Sequence, residues 1–242
     1  MGEGMVAIIG MTMKQRFTIG TIPAIVWGET SDKVYLFVHG KKSRKEEAED
    51  FARIAVRNGY QVLSFDLPEH GDRLNSNYPC TVQNGVHDLN LIGNYAKDNW
   101  KHISLFACSL GAYFSLVAYQ EIRFERCLFL SPILDMERLI QNMMKWFHVS
   151  EELLKEKREI PTPMGETLSW SYYTYVREHP IIKWEHPTYI LYGSNDNLTE
   201  RPIVDRFVTK FHCNLEVLDN GEHYFHTTEQ LEVLDRWLVH HV

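Results

Sequence analysis

The chain alternates between short, nearly continuous apolar runs and longer segments whose apolar residues recur every three or four positions. Residues 33–39 form the clearest apolar run, as expected of a strand buried on both faces of a parallel sheet. Residues 45–58 have helical spacing and end at the pair Asn58-Gly59. The same patterns continue to the C-terminus, with strands predicted at 60–67, 103–107, 126–130, 188–192 and 214–218 and helices at 81–100, 112–121, 201–211 and 227–240. They predict an α/β fold with a mostly parallel central sheet flanked by helices.

Two segments depart from this alternation. Residues 15–20 and 22–27 are β-rich runs around Gly20-Thr21 and predict a hairpin before the first buried strand. Residues 133–185 begin with helical spacing, continue through a charged stretch and end in an aromatic cluster. Because this block lies between two strands of the sheet, we expect it to be a helical cap inserted after the sixth strand, within a single domain of residues 1–242.

Composition and charge exclude several classes of protein. The 242 residues can bury the core of one domain, and 44% hydrophobic with 24% charged residues is typical of a globular protein. A formal charge of -7 argues against a nucleic-acid surface. The apolar residues 5–9 are too few for a signal peptide, and no apolar run approaches the length of a membrane span. The four cysteines are far apart and predict free thiols in a reducing compartment, so we expect a cytoplasmic protein without a membrane partner.

Polar residues follow four of the predicted strands. His39, Ser109, Asp196 and His223 each belong to a loop that comes directly after an apolar run. In an open parallel sheet, ligands bind beyond the carboxyl ends of the strands, so all four loops are expected at one edge. No histidine pair has the HExxH spacing of a zinc site, and we predict neither a metal nor an organic cofactor.

Ser109 lies between a strand pattern and a helix pattern, with the small residues Ala107 and Gly111 on either side. This is the layout of a nucleophile elbow, a strand-to-helix turn too tight for large flanking residues. The N–H of Leu110 would stand at the helix N-terminus, where developing negative charge is stabilised. Taken alone, the pattern also fits a serine that only caps a helix.

Five short motifs in order make the chain resemble the α/β-hydrolase family. They are His39-Gly40, Asp-Leu-Pro-Glu-His-Gly at 66–71, Ala-Cys-Ser-Leu-Gly at 107–111, Tyr-Gly-Ser-Asn-Asp at 192–196 and Gly-Glu-His-Tyr-Phe at 221–225. The resemblance covers residues 34–242 except the block at 133–185. Ala107 and Glu69 stand where the family pattern has glycine, and neither replacement removes a catalytic group.

The resemblance implies a serine hydrolase. Ser109 would be the nucleophile, His223 its general base, and Asp196 the carboxylate that orients the imidazole. The backbone N–H groups of Lys41 and Leu110 would form the oxyanion hole. We expect cleavage of a small-molecule carboxylic ester through an acyl-enzyme. Thioester or C–C bond hydrolysis on the same three residues, and a non-hydrolytic small-molecule receptor of the same fold, are the alternatives; the oligomeric state is open.

Each of two triad positions has a competitor in the sequence. Asp135 follows the sixth strand and could also reach the histidine, but we favour Asp196. His226 lies three residues after His223 and is expected to begin the last helix, turned away from the site.

Other residues have weaker functional interpretations. Met143 and Trp170 are expected to line the acyl side of the substrate pocket, although they could simply pack the cap onto the core. His70 is expected to be a structural loop histidine. A cluster of basic residues is expected to be a solvated face, with steering of anionic substrates as the alternative: Lys41, Lys42, Arg44 and Lys45.

Overall fold

A computed structural model describes residues 13–242 of the chain, so the apolar residues 5–9 lie outside the described part. It contains ten strands: β1 (Lys14–Ile19), β2 (Ile22–Trp27), β3 (Lys33–Val38), β4 (Gln61–Phe65), β5 (His102–Cys108), β6 (Cys127–Leu130), β7 (Glu159–Pro161), β8 (Thr167–Ser169), β9 (Thr188–Gly193) and β10 (Asn214–Leu218). Eight of them form the central sheet, in the order β1-β2-β4-β3-β5-β6-β9-β10. From β4 to β10 every neighbouring pair is parallel, while β1 and β2 join as an antiparallel hairpin.

Helices cover both faces of this sheet. The described helices are α1 (Glu49–Arg57), α2 (Val82–Asn99), α3 (Leu110–Ala118), α4 (Met136–Trp146), α5 (Glu151–Lys157), α6 (Trp170–Glu178), α7 (Arg201–Phe211) and α8 (Thr228–His241). Buried residues of α2, α3 and α7 share one hydrophobic core, and those of α1 and α8 share the other. The predicted alternation of strands and helices is therefore confirmed, with most boundaries shifted by one to three residues.

The buried strand β3 shows why the sequence folds this way. Along a strand, side chains point alternately to opposite faces. Val34, Leu36 and Val38 enter the core beneath α2 and α3, while Tyr35 and Phe37 enter the core beneath α1. A strand with a helix layer on each side thus needs apolar residues at consecutive positions.

The segment between β6 and β9, residues 131–187, is here called the insertion. It contains α4, α5 and α6, and its buried side chains, among them Ile140, Leu154 and Tyr173, belong to the core beneath α2 and α3. The segment is mostly helical, and it also contains a small antiparallel hairpin of β7 and β8 that the sequence did not predict. Its turn is closed by Thr162, whose N–H and hydroxyl both donate to the carbonyl of Glu166, at 2.7 and 2.8 Å.

Lys45 corrects the prediction of a solvated basic face. Its side chain is only 2% exposed, and its ammonium donates to Asp66 and Asp72, each at 2.7 Å. The Asp66 side chain is fully buried, and its Oδ1 also accepts the N–H of Lys45 at 2.9 Å. A buried ammonium is stable only when paired, so this contact fixes the loop after β4 against the loop after β3.

No helix in the described part of the chain has both the length and the apolar composition that crossing a bilayer requires.

Replacing Asp66 by asparagine is expected to lower the free energy of unfolding by about 3–5 kcal/mol, because it removes the fully buried partner of a buried ammonium. Urea unfolding measures this loss. Asp72→Asn is the matched control: the Asp72 side chain is 65% exposed, so its loss should cost about 1 kcal/mol or less. Equal losses of unfolding free energy in the two variants would contradict the assignment of Asp66 as the buried partner of Lys45.

Candidate active site

Ser109 occupies the single residue between β5 and α3. Its backbone has φ 49° and ψ -116°, a conformation that residues with a side chain rarely adopt. Neighbouring backbone holds it there: its N–H donates to Leu130 at 3.1 Å, and its carbonyl accepts the N–H of Ile133 at 3.2 Å. The serine is therefore held by the strand β6 and the start of the insertion as well as by its own turn.

The residues on either side of Ser109 must be small for different reasons. A Cβ atom on Gly111 would lie 2.4 Å from the carbonyl oxygen of His39, so this position has no room for a side chain. Ala107 is fully buried and lies between Val38 and Phe129 of the adjacent strands. The fold accommodates one methyl group there, and the departure from the family pattern leaves the turn intact.

The structure brings Ser109, His223 and Asp196 together. The Ser109 Oγ lies 2.8 Å from Nε2 of His223, and Nδ1 of His223 lies 2.7 Å from Oδ2 of Asp196. The Asp196 carboxylate is fully buried, and its other oxygen accepts the N–H groups of Leu198 and Thr199 at 2.8 and 2.9 Å. These backbone bonds fix the carboxylate, which in turn orients the imidazole.

Contact between two glycines holds the loops after β9 and β10 close together. A Cβ atom on Gly193 would lie 2.4 Å from the carbonyl carbon of Gly221. Next to this contact, Asn195 N–H donates to the Gly221 carbonyl, and Asn220 N–H donates to the Ser194 hydroxyl, each at 2.8 Å. The backbones pass so closely that His223, two residues after Gly221, lies beside Asp196.

The two competing residues have other partners. Asp135 caps α4, where its Oδ1 accepts the N–H of Arg138 at 2.9 Å. His226 is half-exposed, and its Nδ1 lies 2.9 Å from the carbonyl of Tyr224. Neither forms a hydrogen bond with Ser109, His223 or Asp196 within residues 13–242.

Two backbone N–H groups near Ser109 donate to no acceptor within residues 13–242. Leu110 is the first residue of α3, where an N–H has no partner within the helix. The N–H of Lys41 donates to no acceptor among the residues that the structure describes. Gly40 brings the Lys41 loop close, since a Cβ on it would lie 3.3 Å from the Cβ of Ser109. Both N–H groups predicted for an oxyanion hole are thus available.

His39 holds the loop that carries Lys41. Its ring is buried; Nδ1 lies 2.7 Å from the Gly40 carbonyl, and Nε2 accepts the N–H of Leu67 at 3.1 Å. These contacts require a neutral ring protonated at Nδ1. Burial lowers the pKa of His39 to about 3, which keeps the ring neutral. His70 packs 5.3 Å from it, ring centre to ring centre, and bonds the carbonyl of Pro68 in its own loop.

The lowered pKa of His39 predicts a stability that decreases in acid. The unfolded chain binds a proton near pH 6.5 but the folded ring does not until about pH 3, so stability is lost as the pH falls between these values. Between pH 7 and 5 this single group should lower the free energy of unfolding by about 2 kcal/mol. The His39→Asn variant has an amide that can still donate to the Gly40 carbonyl. Measured by urea unfolding, its free energy of unfolding should fall less between pH 7 and 5 than that of the original chain. The same decrease of the unfolding free energy with pH in both proteins would contradict this prediction.

The insertion contacts the predicted oxyanion loop through an ion pair that the sequence did not suggest. The Lys41 ammonium lies 2.8 Å from Oε2 of Glu166, in the turn of the hairpin β7-β8. Met143 and Trp170 are partly buried against the core, and the Trp170 ring packs 6.0 Å from that of Tyr173. Their role as pocket residues stays a prediction.

Within residues 13–242, no group of three or more histidine, cysteine or acidic side chains is arranged to hold a metal ion.

Comparisons with known proteins identify the fold. No sequence-family model matches the chain, and no curated protein matches it. Among solved structures, Est1E from Butyrivibrio proteoclasticus has a TM-score of 0.72 at 17% identity, covering 94% of this chain and 96% of that one. A putative hydrolase from Agrobacterium vitis S4 has a TM-score of 0.74 at 15% identity, covering 94% and 99%. The esterase Pf2001 from Pyrococcus furiosus has a TM-score of 0.64 at 20% identity, covering 95% and 90%. The chain has the α/β-hydrolase fold.

Proposed function

We propose that this chain is a serine hydrolase that cleaves a carboxylic ester of a small molecule through an acyl-enzyme. The observation that carries the proposal is the hydrogen-bonded series Ser109 Oγ, His223 and Asp196, with separations of 2.8 and 2.7 Å. A serine hydroxyl is a weak nucleophile at neutral pH and needs a base within hydrogen-bond reach. The likeness to solved esterases supports the same class of reaction.

In the proposed reaction, each step of acyl transfer has a group within reach that can perform it. The Ser109 Oγ attacks the ester carbonyl carbon while Nε2 of His223 takes its proton. The carbonyl oxygen becomes an oxyanion that the N–H groups of Leu110 and Lys41 stabilise. The intermediate collapses, the histidine returns the proton to the departing alcohol, and the acyl group stays on Ser109. Water activated by His223 then attacks this acyl group and releases the carboxylic acid.

Asp196 contributes through position and charge. Its Oδ2 accepts a hydrogen bond from Nδ1–H of His223, which holds the ring in the tautomer whose Nε2 can accept the serine proton. When the ring becomes an imidazolium, the buried carboxylate stabilises it at short range, where screening by water is weak. The same pair fixes the direction of the imidazole toward Ser109.

Reaction with an activated aryl ester and with a serine-directed phosphonate tests the proposal. Hydrolysis of the ester together with phosphonate labelling at Ser109 supports a serine hydrolase. Binding of the ester without turnover, and without labelling, would instead indicate a receptor. Faster turnover of a matched thioester than of its oxygen ester would move the substrate class to thioesters.

Ser109→Ala is expected to reduce ester turnover by about 10⁴-fold or more, because it removes the attacking atom and the three residues act as a unit. The melting temperature should not fall, since alanine is compatible with the buried turn and the strained position loses only a hydroxyl. Steady-state kinetics and circular dichroism measure both. Near-normal turnover in the folded variant would contradict the assigned nucleophile.

Asp196→Asn is expected to lower turnover by about 10⁴-fold, as replacing a triad aspartate by asparagine favours the wrong histidine tautomer. Asp135→Asn is the matched control, because asparagine also caps helices well and should preserve α4. It should change turnover little. The opposite ranking of the two variants would transfer the carboxylate role to Asp135.

A further inference from the structure

A cavity that is not lined by the triad residues lies on the face of the sheet that α3 and α7 cover. Its volume is about 310 Å³, near the lower end of the range for small-molecule sites. Its walls are formed by α3, α4, α7 and the end of α6 with the segment after it, and none of Ser109, His223, Asp196 or Lys41 lines it. The apolar part of the wall includes Val176, Ile203, Phe207 and Phe211.

One end of the cavity contains a tyrosine hydroxyl that is not fully enclosed and forms no hydrogen bond with the described residues. Tyr113 lines the cavity with its residue surface only 3% exposed, yet its hydroxyl forms no hydrogen bond to any residue in 13–242. Burial raises the pKa of Tyr113, and the neighbouring Tyr175 and Asp135 add to the effect. The hydroxyl therefore stays protonated and can donate. Asp135, which lines the same end, uses one carboxylate oxygen to cap α4 and leaves the other free to accept.

The other end of the cavity is cationic. Arg206 and Lys210 line it from the same face of α7, one helical turn apart. Arg206 is exposed and has no carboxylate within ion-pair distance in the described chain. The Lys210 ammonium donates to the Ile181 carbonyl at 3.2 Å and has two further protons to offer.

The two ends are separated along α7. Arg138 of α4 is bonded to Glu200, at the start of α7, by two hydrogen bonds of 3.0 Å, so the Asp135 end lies there. Arg206 follows Glu200 by six residues, or about 9 Å along the helix, and Lys210 by ten, or about 15 Å. The cavity thus has the Tyr113 hydroxyl and the carboxylates of Asp135 and Glu137 at one end, aromatic and aliphatic walls, and the cations Arg206 and Lys210 at the other end.

We propose that this cavity binds a small aromatic carboxylic acid that carries a hydroxyl group opposite its carboxylate. The carboxylate would pair with Arg206 and Lys210, because a guanidinium can donate two parallel hydrogen bonds to it. The ring would pack against Phe207 and Ile203. The hydroxyl would donate to the free oxygen of Asp135 and accept from Tyr113. This site is additional to the proposed hydrolytic site and does not depend on it.

Titration calorimetry with 3-(4-hydroxyphenyl)propionate tests the site on the full chain. We expect saturable binding with a dissociation constant of about 1 mM or below. Tyramine, in which an ammonium replaces the carboxylate, should bind at least about tenfold more weakly, since it would meet two cations. Absence of saturable binding up to about 10 mM would overturn the proposal.

Substitutions at each end of the cavity test where the ligand binds. Arg206→Gln combined with Lys210→Gln should weaken binding by at least about tenfold, whereas Arg201→Gln, on the same helix but outside the cavity, should leave it unchanged. Tyr113→Phe keeps the ring and removes the hydroxyl. The Tyr113→Phe variant should bind 3-(4-hydroxyphenyl)propionate about fivefold more weakly and bind 3-phenylpropionate with unchanged affinity. An equal effect on both ligands would assign Tyr113 to packing and overturn the hydroxyl contact.

His223→Ala separates this proposal from the hydrolytic one. Calorimetry needs no turnover, so an inactive Ser109 would leave the binding test unaffected. Binding at unchanged affinity in His223→Ala supports a separate site. A marked loss of affinity in this variant, with Arg206→Gln and Lys210→Gln having no effect, would place the ligand at the triad and overturn the proposal.

Discussion

The close approach of α3 to the loop after β3 is the constraint on which the site depends. A Cβ on Gly111 would lie 2.4 Å from the His39 carbonyl oxygen, so backbone passes backbone without an intervening side chain. The chain must therefore reverse from strand to helix within one residue, and Ser109 adopts φ 49° to do so. Such a conformation costs about 1–3 kcal/mol, which the hydrogen bonds of Ser109 to β6 and to the insertion offset.

The loops around this turn are held by buried polar groups, each in one definite charge state. His39 is neutral because both ring nitrogens have backbone partners and burial lowers its pKa to about 3. Lys45 is charged because it pairs with the fully buried carboxylate of Asp66. The first contact fixes the loop that carries Lys41, and the second ties the loops after β3 and β4 together. Preorganised donors of this kind need not reorient when charge develops on a substrate.

Local sequence patterns predicted most of the fold, but they did not predict contacts between residues that are far apart in the sequence. The buried run of β3 and the glycine beside Ser109 are visible in the sequence because they reflect local periodicity and turn geometry. The burial of Lys45 is not, since it depends on Asp66, 21 residues away. The hairpin β7-β8 has strands of only three residues, too short for any periodicity to show. In the sequence, Tyr113 is indistinguishable from any other residue of a buried helix. Only the packing of α3, α4 and α7 shows that its hydroxyl has no partner among the described residues.

Gly111, which keeps the family pattern, and Glu69, which departs from it, show which glycines a fold of this kind requires. At Gly111 a side chain would collide with backbone, and no residue other than glycine fits. Glu69 has φ 58°, a conformation that glycine adopts freely but that costs another residue about 1–2 kcal/mol. Its carboxylate accepts the N–H of Cys80 at 2.6 Å, a bond that glycine could not form and that fastens this loop to the chain leading into α2. A glycine needed for its dihedral angle alone can therefore be replaced where the new side chain gains a partner, and one needed for space cannot.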